Sequence, residues 1–80
     1  MVAYPAKIER EGDGMVMTLP DVPEFVLVAE RRAEALRRAP GLLYNILDAY
    51  RLRRLPYPRA SRISGAPMVT PKRDCAALID

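Results

Sequence analysis

Enzymatic chemistry needs a nucleophile with a base beside it, a set of metal ligands, or a cradle for phosphate, and each can be sought by residue type. The chain has no histidine, so Ser61, Ser64 and Cys75 lack an evident activating partner. A lone cysteine builds neither a thiolate zinc site nor an intrachain disulfide. Cys75 is therefore expected to serve as a small buried or half-buried hydrophobe. Asp21 is the sharpest single residue, a carboxylate at a strand end of the kind that shares divalent ions in metal-dependent nucleases. Glu24, Glu30, Glu34 and Asp48 do not cluster with it by spacing. Asp21 is instead expected to shape a turn or accept a backbone hydrogen bond. Gly12 and Gly14 flank Asp13, whose charge repels phosphate, so a phosphate cradle is not expected there. No catalytic residue, metal or cofactor is expected, and an enzyme is disfavoured.

What remains is binding, and the charge pattern shapes it. Residues 1–30 carry a net charge of −4, residues 31–62 a net of +7, and residues 63–80 balance, for a total of +3. A chain acidic at one end and basic in the middle can self-associate or offer two surfaces to different partners. Arginine outnumbers lysine eleven to two, which favours planar, bidentate pairing. Arg51, Arg53, Arg54, Arg59 and Arg62, interleaved with Tyr50 and Tyr57, offer a patch for RNA or DNA phosphates. The same arginines also suit a solvated face or ion pairs with an acidic surface of another subunit. Protein contact is the favoured reading of the two binding modes, and nucleic acid is kept as the alternative.

Eighty residues make one small domain. Domains of this size bury a modest core and commonly gain stability by associating, which points to a homodimer or higher homo-oligomer. No basic-then-apolar leader and no long apolar run is present, so neither secretion nor a membrane is expected, and the cytoplasm is the default location.

The elements that must position these residues can be read in order. Val2 to Arg10 alternates, with Val2, Tyr4, Ala6 and Ile8 on one face. Glu11-Gly12-Asp13-Gly14 reads as a turn in which the glycines supply positive φ and the aspartate tolerates it. Met15, Met17 and Leu19 then share a face, completing a hairpin. Pro20-Asp21-Val22-Pro23 forms a stiff corner, and Phe25 to Ala29 reads as a third strand, apolar throughout. An exposed edge of that kind is hazardous, so Val26, Leu27 and Val28 are expected in a homodimer interface.

A helix is expected to start near residues 30–33 despite a poor N-terminal signal, since Arg31 and Arg32 sit where a cap and acidic side chains are favoured. Leu36, Leu43, Leu47 and Tyr50 recur at helical spacing. Pro40-Gly41 is expected to kink or break the helix, and Pro56 and Pro58 to end it. Residues 59–67 read as a loop and Met68-Val69-Thr70 as a short strand. Residues 74–79 suit one helical turn or a frayed tail. The expected fold is α+β: β-β-β-α-β, an antiparallel three-stranded meander plus a short fourth strand, with one helix packed on one face. The domain occupies residues 1–72 and the tail 73–80.

The ordered motifs resemble the HicB antitoxin family. They are Tyr4-Pro5 opening the first strand, a glycine-rich turn, alternating Met15, Met17 and Leu19, and Pro20-Asp21-Val22-Pro23-Glu24. Glu34-Ala35-Leu36 follows at the family's distance, then Pro56-Tyr57-Pro58 with Ser61, where relatives read PIP-x-PS. Arg54 stands where relatives commonly place a helix-stopping glycine. The resemblance implies a partial ribonuclease-H-like fold. It also implies protein–protein inhibition of a HicA-type toxin, a small ribonuclease that cuts messenger RNA. Many relatives carry a C-terminal DNA-binding module; the chain ends at Asp80 without room for one, so operator binding is not expected of it. Because such a toxin is basic, Glu9, Glu11, Asp13, Asp21 and Glu24 become the candidate toxin contacts. Two alternatives stay open: a nucleic-acid-binding accessory protein using the arginine-rich helix, and a stand-alone oligomerisation module.

Overall fold

In a computed structural model that describes residues 2–73, the chain is α+β, as the hydrophobic periodicity predicts. The expectations for Cys75 and for a turn at residues 74–79 lie outside the described residues, as does most of the expected 73–80 tail. Three strands, β2 (Lys7–Glu11), β3 (Gly14–Leu19) and β4 (Val22–Ala29), form an antiparallel meander in the order β2-β3-β4. A short β1 (Tyr4–Pro5) pairs antiparallel with β5 (Met68–Val69). One helix, α1 (Arg32–Leu52), packs on β3, β4 and β5. No helix among the described residues is long and apolar enough to cross a membrane.

The first strand departs from the single run expected over Val2 to Arg10. It divides at Ala6, whose N–H donates to the Pro67 carbonyl at 2.8 Å. Thus Tyr4 and Pro5 serve β5 while Lys7 onward serves β3. Burial does not alternate at the division: Tyr4, Pro5 and Ala6 are all buried, with Val2 and Ile8 half-buried on either side.

The hairpin turn is a two-residue connection, Gly12-Asp13, between the paired Glu11 and Gly14. Gly12 alone there has positive φ, +60°, the requirement for the first central residue of a type II′ turn. Gly14 has a different reason to be glycine. A Cβ at this position would stand 3.0 Å from the Ala29 carbonyl oxygen, so any side chain here would require the β4 backbone to give way.

The corner Pro20-Asp21 is also a two-residue connection, and β4 begins at Val22 rather than at the expected Phe25. Thr18 pairs with Val26 while the next residue, Leu19, pairs with Val22. Pro23, Glu24 and Phe25 therefore form an irregularity in an edge strand, a location where proline does not break a ladder.

Within one chain only one face of the apolar β4 is covered. Phe25, Leu27 and Ala29 are buried against the helix, whereas Val26 and Val28 are 57% and 64% exposed. Leu27, at 5% exposed, belongs to the chain's own core and offers no surface for a dimer interface.

Of the kink or break expected at Pro40-Gly41, the break does not occur: the helix runs continuously through both residues. Pro40 has no N–H to donate to the Leu36 carbonyl, a loss of about 3 kcal/mol in a helix interior. Ala35, Ala39, Leu43 and Leu47 lie at intervals of four on both sides of Pro40, and all are buried in one core. Breaking the helix would expose one half of that stripe, and each leucine contributes about 2 kcal/mol by burial. The Lys72 N–H also donates to the Pro40 carbonyl at 3.0 Å, tying the segment after β5 to the same point. Leu36, expected on the core face, lies at its rim at 37% exposed. The N-cap, Arg31, makes no side-chain capping bond, in keeping with the weak start signal.

Candidate functional site

Four of the residues that carry the resemblance meet in two pairs, Tyr4 with Pro58 and Asp21 with Ser61. Asp21, in the tight β3–β4 turn, accepts two hydrogen bonds from Ser61: the N–H to Oδ2 and the Oγ–H to Oδ1, both at 2.7 Å. These bonds, the backbone one first, hold its carboxyl below the usual carboxylate range. Tyr4 is fully buried, and its hydroxyl donates to the Pro58 carbonyl at 2.7 Å. Burial, and then the negative charge of Asp21, push the Tyr4 phenol up. A third bond joins β4 to the helix, from the Tyr50 hydroxyl to Glu24 Oε2 at 2.6 Å. That bond to a carboxylate raises the Tyr50 phenol. These contacts tie the segment after the helix to the turn before β4 and to β1, and the helix itself to β4. Asp21 is a fastening residue, as its turn position implied. Among the described residues, no three metal-ligating side chains stand together.

The five acidic residues read as one contact set do not form one patch. Glu9, Glu11 and Asp13 lie on β2 and its hairpin turn, and all three are exposed. Asp21 and Glu24 lie at the far end of β3, a six-residue strand of roughly 17–20 Å. There they are engaged by Ser61 and Tyr50. Glu9 pairs with Lys7 at 2.8 Å on the exposed side of β2, and this hydrogen bond raises the Lys7 ammonium. Glu11 and Asp13 remain without an ion-pair partner among the described residues.

The arginines divide similarly. Arg51 binds Asp48 through Nη2 at 2.8 Å and Nε at 2.9 Å. Arg53 caps the helix, and Arg54 follows with φ 57°, a left-handed conformation that disfavours a side chain. The Arg54 N–H donates to the Arg51 carbonyl and the Leu55 N–H to the Tyr50 carbonyl, a Schellman closure with arginine at the glycine position. Arg53, Arg54, Arg59 and Arg62 are exposed and have no carboxylate within ion-pair reach among the described residues. Leu52, Leu55, Tyr57 and Ile63 are exposed in the same stretch.

One contact had no signal in the sequence. Arg38 on the helix reaches the β4 edge, donating from Nη1 to the Val28 carbonyl at 3.3 Å and approaching Glu34 at 3.5 Å. No spacing rule links a helix arginine to a strand carbonyl ten residues earlier, because the link depends on how the helix folds back over the sheet. No protein-family model matches the chain, and no curated protein matches it.

Proposed function

We propose that the chain is a HicB-like antitoxin, or a protein derived from one, that binds and inhibits a HicA-type mRNA-cleaving ribonuclease by protein–protein contact. One observation carries this reading. The separated motifs behind the resemblance, Tyr4-Pro5, Pro20-Asp21-Val22-Pro23 and Tyr57-Pro58 with Ser61, are linked by hydrogen bonds within an α+β fold of a three-stranded meander, a β1–β5 pair and one helix. Motif residues that fasten one another account for an ordered set of short matches better than chance similarity does. In this reading the protein acts in the cytoplasm, and the toxin-facing surface is the hairpin tip, Glu11 and Asp13, whose charges are exposed. Asp21 and Glu24 hold the scaffold that presents it.

The test is a titration of this chain against the small ribonuclease encoded beside its gene, with RNA cleavage as the readout. Stoichiometric loss of cleavage is expected. Glu11→Lys with Asp13→Lys should slow association in a salt-dependent way. The absence of binding to such a neighbour would overturn the reading.

A second reading rests on Arg53, Arg54, Arg59 and Arg62, exposed beside Tyr57 without carboxylate partners among the described residues. A nucleic-acid-binding protein built on them would lose affinity linearly in log salt, and replacing each arginine would reduce that slope by about one. Salt-independent retention would exclude it.

A further inference from the structure

The meander face turned away from α1 carries a self-complementary pattern. Its register sets two adjacent rows across the three strands. Lys7 pairs with Thr18 and Thr18 with Val26; Glu9 pairs with Val16 and Val16 with Val28. Strand alternation places all six side chains opposite Met17, Leu27 and Ala29, which are buried on the helix side. Lys7, Glu9, Val26 and Val28 are exposed, and Val16 and Thr18 are half-buried. One row thus reads cation, threonine, valine, and the other reads anion, valine, valine.

We propose that this face is a homodimer interface on which a second copy of the chain stacks. The two-fold axis lies between the two rows and runs across the strands. This operator keeps each strand over its own copy and exchanges the rows. Lys7 then meets Glu9 of the second copy, Glu9 meets its Lys7, Thr18 meets Val16, and Val26 meets Val28. Lys7 and Glu9, which pair within each chain at 2.8 Å, join those of the second copy in an alternating four-charge cluster at one side, and a β-branched cluster closes at the other. The interface is isologous, so it stops at two copies. A two-fold along the strands would instead lay the charges of β2 over the valines of β4, which charge burial disfavours.

Edge-to-edge extension of the sheet through β4 is opposed at Val28, whose carbonyl already accepts from Arg38. Contact through the face, not the edge, is what the exposed valines fit. This inference does not rest on the antitoxin reading, although it assigns Glu9 to the second copy and leaves Glu11 and Asp13 for a toxin.

Sedimentation equilibrium on the wild type, Lys7→Glu, Glu9→Lys and an equimolar mixture of the two variants tests it. The wild type is expected to be a dimer at micromolar concentration. Each variant alone places like charges across the axis and should weaken dimerisation about a hundredfold. The mixture should restore a dimer, because a chain with two cations then faces a chain with two anions. Unchanged far-UV circular dichroism in both variants guards against loss of the fold. A monomeric wild type at high micromolar concentration, or single variants that dimerise as tightly as the wild type, would overturn the proposal. So would a mixture that associates no more strongly than its parts.

Discussion

Asp21 grips Ser61, forty residues later in the chain, through both of its carboxylate oxygens at 2.7 Å. The backbone N–H and the hydroxyl both donate, so the serine is held at two points and the connection after the helix cannot lift from the β3–β4 turn without losing both. Asp21→Ala removes both contacts, whereas Ser61→Ala removes only the hydroxyl's and keeps the backbone N–H. Asp21→Ala and Ser61→Ala should each lower stability, and the double variant should lose no more than the larger single effect in urea denaturation at neutral pH. Additive losses would show that the two residues act separately.

The same contact predicts an acid sensitivity. The folded carboxyl pKa lies below its ordinary value of 3.8. A group depressed in this way contributes stability that is fully present above the unfolded pKa and is lost as pH falls through the folded one. Wild-type thermal stability should therefore decline below about pH 4 more steeply than that of Asp21→Asn. Parallel acid limbs would contradict the assignment.

Arg54 occupies the left-handed position that closes the helix, at φ 57°. Its side chain is exposed and bonds no carboxylate among the described residues. Glycine relieves the steric penalty of this conformation, and Arg54→Gly should raise stability by about 1 kcal/mol. Arg54→Val, with a branched Cβ, should lower it. Urea midpoints at constant slope are the measure.

Tyr4 is fully buried, and its hydroxyl meets the Pro58 carbonyl. Tyr4→Phe keeps the ring packing and removes only the donor, leaving a part-buried carbonyl without that partner. A loss of about 1 kcal/mol is expected in denaturant unfolding. A neutral result would mean that water replaces the hydroxyl at no penalty.

Pro40 sits inside a helix whose buried stripe continues on both sides. Pro40→Ala restores a donor for the Leu36 carbonyl and removes the ring clash, at the expense of some ring packing. The net gain should be about 1–2 kcal/mol. Lower stability in this variant would show that the ring's contacts outweigh the missing bond.

The hairpin, the helix and their order were legible because each depends on local periodicity. Met17 and Leu19 lie two apart and face the core together; Leu43 and Leu47 lie four apart and do the same. The turn at Gly12 was legible because positive φ selects glycine, but Gly14 was misread as a second turn glycine. Its reason is the approach of the Ala29 carbonyl, which no local rule contains. At Pro40 the choice between kink and break was not legible for a related cause: helix propensity counts the lost bond, and not the burial on both sides that keeps the helix continuous.

By itself the amino-acid sequence determined which segments are strands and which is the helix, since alternation and four-residue spacing are properties of neighbouring residues. It also determined that no histidine-based or thiolate-cluster chemistry is present. Tertiary structure alone decided what the charges and valines do. It set Asp21 and Glu24 to hold Ser61 and Tyr50, separated them from Glu11 and Asp13 by the length of β3, turned Leu27 inward, and left Val26 and Val28 exposed. Those outcomes depend on strand register and on the face the helix covers. Both are fixed by packing among residues tens of positions apart, and a one-residue shift would reverse which side chains reach the surface.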